Sequence, residues 1–174
     1  LLEWGYEADH PFAEHCRRFA EAGLEFYVCP GTSSWFSLAG RTRNALLNLA
    51  AAAREGRAPG ARGLLITDWG DFGHLQPLPV SYLGFLAGAG FAWNTASAED
   101  PLGLPIIDLL DLHALRDRNG VTSRTLAMLG DTYLWTGAAP KNGTALFFLL
   151  LFPQDDLGHR RHRGLTEQGL KDSL

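Results

Sequence analysis

Through the first half of the chain, short apolar runs alternate with longer segments whose apolar residues recur every three or four positions. Residues 1–4 read as the end of a strand. Asp9-His10-Pro11 reads as a helix start with Pro at the first helical position. Phe12, Cys16 and Phe19 then recur at helical spacing, and Gly23 closes the segment. Residues 24–29 are a short strand rich in aromatic and branched side chains, stopped by Pro30-Gly31. After the small-residue loop Gly31-Thr32-Ser33-Ser34, a helix is predicted over about 40–55. Ala45, Leu46, Leu49, Ala50 and Ala53 form its apolar face, and Gly56 ends it. Leu64-Leu65-Ile66-Thr67 is a third strand, continuously apolar as suits a parallel strand covered on both faces. A loop over 68–78 leads into a helix predicted over 79–93.

The second half changes character. Residues 96–105 form a Pro-containing linker, and 104–117, 123–136 and 144–152 read as helices, with 166–174 a further one. No strand is predicted there. Residues 1–93 therefore read β-α-β-α-β-α, which means a parallel sheet with right-handed crossovers. Three strands cannot close a barrel, so the sheet is expected to be part of a larger one whose other strands precede Leu1. The expected fold class is α/β: the three C-terminal βα units of a (β/α)₈ barrel over 1–95, then a helical C-terminal region over 96–174.

Composition narrows the function classes. The chain has 174 residues, is 46% hydrophobic and carries a net charge of −4, a balance that implies neither disorder nor a nucleic-acid partner. Cys16 and Cys29 fit no disulfide framework or zinc spacing. The longest apolar run, 145–152, is too short to span a bilayer, so no membrane partner is expected. Five Trp are many for this length, and flat indole faces suit sugar rings as well as protein cores. No signal peptide is visible, and Leu1 is not an initiator residue, which suits the inside of a longer protein.

In α/β folds, ligands bind beyond the carboxyl ends of the parallel strands. Those ends are Trp4-Gly5-Tyr6-Glu7-Ala8-Asp9-His10, Cys29 to Trp35, and Asp68-Trp69-Gly70-Asp71-Phe72-Gly73-His74. Each carries a Trp, and two carry several acids. Aromatic faces that stack on a ring and carboxylates that accept from its hydroxyls are what a sugar pocket needs. The same residues would otherwise seal the sheet end and cap helices.

Other chemistry is weaker. Glu7 with Asp68 or Asp71 could flank a glycosidic bond. Cys29 with His74 could pair a thiol and a base. Residues 31–34 could cradle phosphate, but contain no Lys or Arg. His10 and His15, five apart, miss a common helix face, and no metal is expected. The basic run 159–163 reads as a solvated tail, the Asn142-Gly143-Thr144 triplet as a formal glycosylation acceptor, and the apolar 146–152 as buried against the sheet's helical flank.

The stretches CPGTSSW, SLAGRT, ITDWGD and QPLPVSYLGF resemble the last three barrel strands of bacterial family 20 glycoside hydrolases. The resemblance covers roughly the first half of the chain and implies a β-N-acetylhexosaminidase-like pocket for a terminal N-acetylhexosamine, with no cofactor. Trp69 and Asp71 match the family's Trp-x-acid motif, with Asp for the commoner Glu. Trp35 resembles the aromatic from the penultimate loop, and Trp4 an aromatic wall, with Asp68, Tyr6 and Glu7 as further substrate-binding candidates. Tyr27 falls near the family's Tyr-x-Asp but lacks the Asp. The family mechanism is substrate-assisted and uses an adjacent Asp-Glu pair. Glu99-Asp100 has the reverse order, so that pair is expected upstream of residue 1. The alternatives are a non-catalytic carbohydrate-binding or structural remnant, and an unrelated barrel hydrolase using Glu7 and Asp71.

Overall fold

The computed structural model describes every residue except Ala139, Leu157 and Leu174, and at Phe72 the backbone alone. The chain is mixed α/β. Strands β1 (Leu2–Trp4) and β2 (Tyr27–Cys29) pair in parallel, with Glu3 opposite Val28. Helix α1 (Phe12–Glu21) makes the crossover, burying Phe12 and Cys16 as its spacing predicts. Pro11 stands one position outside the helix, at the N-cap.

The predicted third strand is present only as two parallel bridges, Val28 with Leu64 and Gly31 with Thr67. Proline explains the interruption. Val28 N–H donates to Gly63 and Thr32 N–H to Thr67, so the donor between them belongs to residue 30. Pro30 has no N–H to give.

Helices α2 (Thr42–Arg57) and α3 (Pro79–Trp93) cover one face of this sheet together with α1. The bounds of α3 are those predicted, and α2 is displaced by two residues. Leu46, Leu49, Leu83, Ala87 and Phe91 pack with Ile66, while Phe12, Phe26 and Val28 pack on Ala52. Gly84 lets α3 approach closely: a Cβ there would lie 2.7 Å from the Thr32 backbone.

Among the described residues, most of the opposite face of the sheet is left uncovered, though Cys29 at its carboxyl end is buried. Leu2, Trp4, Tyr27 and Leu65 are each about half exposed along it. Parallel sheets are normally buried on both sides.

The C-terminal half is helical but more broken than its apolar pattern predicts. The expected linker carries a 3₁₀ turn, Thr95–Glu99, whose Ala98 is fully buried in the main core. Ile106 and Leu110 of α4 (Ile106–Leu110) join the same core. A π-helical turn, Asp111–Leu115, follows, and α5 (Thr122–Leu129) gives way to a 3₁₀ turn at Thr132–Thr136. Thr144 and Thr166 cap α6 (Ala145–Leu151) and α7 (Glu167–Asp172) through their hydroxyls. Leu174, the end of the last predicted helix, lies outside the described residues. Helix α6 is not buried all round: Phe147 and Phe148 pack on Phe36, in the loop after β2, while Leu150 is exposed.

Candidate functional site

A cleft of about 340 Å³ opens along the carboxyl end of the sheet's mostly uncovered face. Parallel pairing aligns the three rim loops at one edge, and the loops bring Trp4, Tyr6, Trp35, Trp69 and Asp71 to the cleft wall. Tyr6 is the hub. Its ring stacks on Trp4 at 5.7 Å between centroids and meets Trp35 edge-on at 5.1 Å and Trp69 at 6.0 Å. Burial raises the Tyr6 hydroxyl above its ordinary value, against the lowering effect of hydrogen bonds with Thr67 and Trp69. Trp69 is fixed by its own indole N–H, which donates to Thr67 Oγ1 at 3.1 Å, and Thr67 in turn donates to the Pro30 carbonyl. Trp35 is buried and forms the cleft floor, whereas Trp4 and Trp69 are exposed. Asp71 is the one acid lining the cleft among the described residues, and it too is exposed.

Glu7 and Asp68 are not in this wall. Both Glu7 oxygens are held by the buried Arg41 guanidinium, at 2.8 and 3.1 Å, and the Asn142 backbone N–H donates to Oε1 at 2.7 Å. Asp68 is turned inward. Thr32, Ser34 and Ser81 hydroxyls donate to it, and His74 Nε2 lies 3.3 Å away. Burial would raise its carboxyl, but these four partners outweigh that and hold it below its ordinary value. Each acid is consumed in fixing one loop to another, so a catalytic Glu7–Asp68 or Glu7–Asp71 pair has no support in this geometry.

The other sequence candidates resolve similarly. The Gly31–Ser34 loop spends its polar groups inward: Gly31 N–H goes to Asn48, Thr32 N–H to Thr67, and Ser33 Oγ accepts from Asn44. Ser33 adopts a left-handed φ of 56° while fully buried, so the loop is held by these bonds and not by its own preference. Cys29 is buried, and burial raises its thiol, the reverse of an activated nucleophile. His74 faces Asp68 instead. The basic run is solvated only in part: Arg160 and Arg163 are exposed, but the rest is packed. Arg160, Arg161 and Arg163 line a second cleft, Arg161 pairs with Asp155 at 2.6 Å, and His162 is fully buried.

Two features escape a reading of the sequence alone. Asn142, 135 residues from Glu7, lines the aromatic cleft, and its local signals, an Asn-Gly turn and a formal glycosylation triplet, do not place it there. His10 lies ahead of α1 instead of on it, so the helical-face argument against His10 and His15 does not apply. Both imidazoles meet Glu3.

Compared with family models, with curated proteins and with solved structures, the chain matches none.

Proposed function

We propose that this chain forms one wall of a carbohydrate pocket in a (β/α)₈-barrel glycoside hydrolase similar to the family 20 β-N-acetylhexosaminidases. The observation that carries the reading is the convergence of Trp4, Tyr6, Trp35, Trp69 and Asp71 on one cleft at the carboxyl edge of parallel strands. An apolar cleft with one carboxylate and one amide side chain on its wall matches the mixed face of a sugar ring. In this reading Trp69 and Trp4 stack on the ring, Asp71 accepts from its hydroxyls, and Tyr6 holds the two indoles apart. The mostly uncovered sheet face supports the barrel, because closing strands would cover Leu2, Tyr27 and Leu65. The acid that protonates the leaving group, and its partner that orients the substrate's acetamido group, would come from barrel residues outside this sequence. No cofactor is required.

That Asp71 is the one acid lining the cleft among the described residues also favours a second reading, a carbohydrate-binding wall without turnover. One set of measurements separates them. N-acetylglucosamine is titrated against the chain by Trp fluorescence, and a chromogenic β-N-acetylglucosaminide is offered as substrate. The proposal expects saturable binding, weakened about tenfold or more (about 1.4 kcal/mol) in W69A and D71A. It expects turnover only when the chain is extended by the upstream barrel residues that this reading requires. Binding without turnover in that extended protein supports the second reading. A fluorescence response unchanged in both variants sinks the pocket itself.

A further inference from the structure

We propose that Glu3, His10 and His15 form a binding site for a divalent transition-metal ion, with zinc as the fitting chemistry. The three side chains come from different segments. Glu3 is on β1, His10 ends the rim loop and His15 is in the first turns of α1. His10 Nε2 and His15 Nδ1 lie 2.7 and 2.8 Å from the same oxygen, Glu3 Oε1, and the three donor atoms fall within 4.8 Å of one another. Two neutral imidazole nitrogens and one carboxylate oxygen are a standard donor set for zinc, whose bonds of about 2.0–2.2 Å put neighbouring donors roughly 3.3 Å apart. Withdrawal of Oε1 by roughly 0.6 Å opens that space, a change within one side-chain rotation.

Three further observations favour a cation here. Glu3 is a carboxylate on the helix-covered side of a strand, with a side chain only 10% exposed, and among the described residues its ion-pair partners are these two imidazoles alone. Among the described residues no Lys or Arg pairs with it, so its charge is met by the two imidazoles, and a buried carboxylate favours a full counter-charge. The His10 ring is held in place. It packs edge-on against Phe12 at 4.5 Å and occupies the space a Cβ on residue 5 would need, 2.2 Å from the ring. Gly5 therefore keeps a ligand oriented, as groups around a metal site do. Side-chain exposures of 19% for His10 and 34% for His15 leave a path from solvent and room for a water as fourth ligand. Bound metal would fasten the rim loop carrying Tyr6 and Glu7 to both β1 and α1.

The test is calorimetric titration of Zn²⁺ into the chelator-stripped 174-residue chain, with Co²⁺ absorption as a second readout. One ion per chain is expected, with a melting temperature that rises with zinc and cobalt bands of a tetrahedral nitrogen–oxygen site. H15A, at the exposed side, should weaken binding about tenfold or more while circular dichroism shows the fold kept. G5A, which retains all three ligands but displaces the His10 ring, should weaken it as well. H159A should leave it unchanged, because His159 belongs to a separate pair with Asp155. Absence of zinc uptake by the parent chain overturns the proposal. So does binding that survives H15A and is lost in H159A.

Discussion

Arg41 and Glu7 are unequally exposed, at 3% and 23% of their side chains, and that inequality decides which partner matters more. Removing the Glu7 charge strands a buried guanidinium, whereas removing Arg41 leaves a carboxylate that still accepts from Asn142 and is partly exposed. E7Q should therefore cost about 3 kcal/mol in chemical denaturation, and R41M clearly less. The reverse order would mean that the pair contributes through packing. Asp68 has a different signature. Its folded carboxyl is held below the unfolded value of about 3.9, so its contribution is present above that pH and is lost as pH falls through the folded value. D68N should lose about 2 kcal/mol at neutral pH, and its stability should fall less steeply than the parent's below pH of about 4. The acids were legible as rim residues from strand ends alone. Which of them face a ligand was not, because that depends on Arg41, Thr32 and Ser81, donors that reach the rim from other segments.

Helix α2 shows the same dependence on distant chain at the scale of an element. Its N-cap, Arg41, offers no capping acceptor. The orphan N–H groups are met instead by Asp131 Oδ1, which accepts from Arg43 at 2.8 Å, and by the Gly130 carbonyl, which accepts from Thr42. Burial raises the Asp131 carboxyl in spite of the Arg43 backbone and charge, so a neutral acceptor serves nearly as well there. D131A should cost about 1 kcal/mol and D131N much less, as read by thermal or urea unfolding. Helix α3 and the apolar face of α2 were legible because local periodicity and the tertiary core agree. The 64–67 strand was legible as apolar, but its fragmentation follows from Pro30 on the neighbouring strand. The C-terminal helices were placed correctly and drawn too long, because the π turn after α4 is stabilised by Asp111, which accepts from Ser123 across a turn that periodicity does not register.

For the whole molecule, the asymmetry of the sheet dominates. Three helices cover one face while Leu2, Trp4, Tyr27 and Leu65 leave most of the other in water. Apolar patches of this kind on a sheet drive association. The isolated chain should show concentration-dependent self-association by sedimentation velocity, and the double variant L2T/L65T should reduce it without loss of melting temperature. A monodisperse parent chain at high concentration would contradict this. The α/β alternation predicted a sheet needing cover on both faces, and the sequence pattern could not say which face the helices would take. The C-terminal region is also less separable than its composition suggests, because Ala98, Ile106 and Leu110 complete the same core as α2 and α3.

The uneven burial of the indoles gives the chain a built-in optical reporter. Trp35 is 3% exposed, whereas Trp4, Trp69, Trp93 and Trp135 range from 43% to 94%. Emission should therefore divide into a small blue component inaccessible to acrylamide and a larger red component that is quenched freely. The blue component reports one place, the loop where Trp35 meets the edge of Tyr6, so its loss during heating times the opening of the cleft floor separately from the melting of the helices around it.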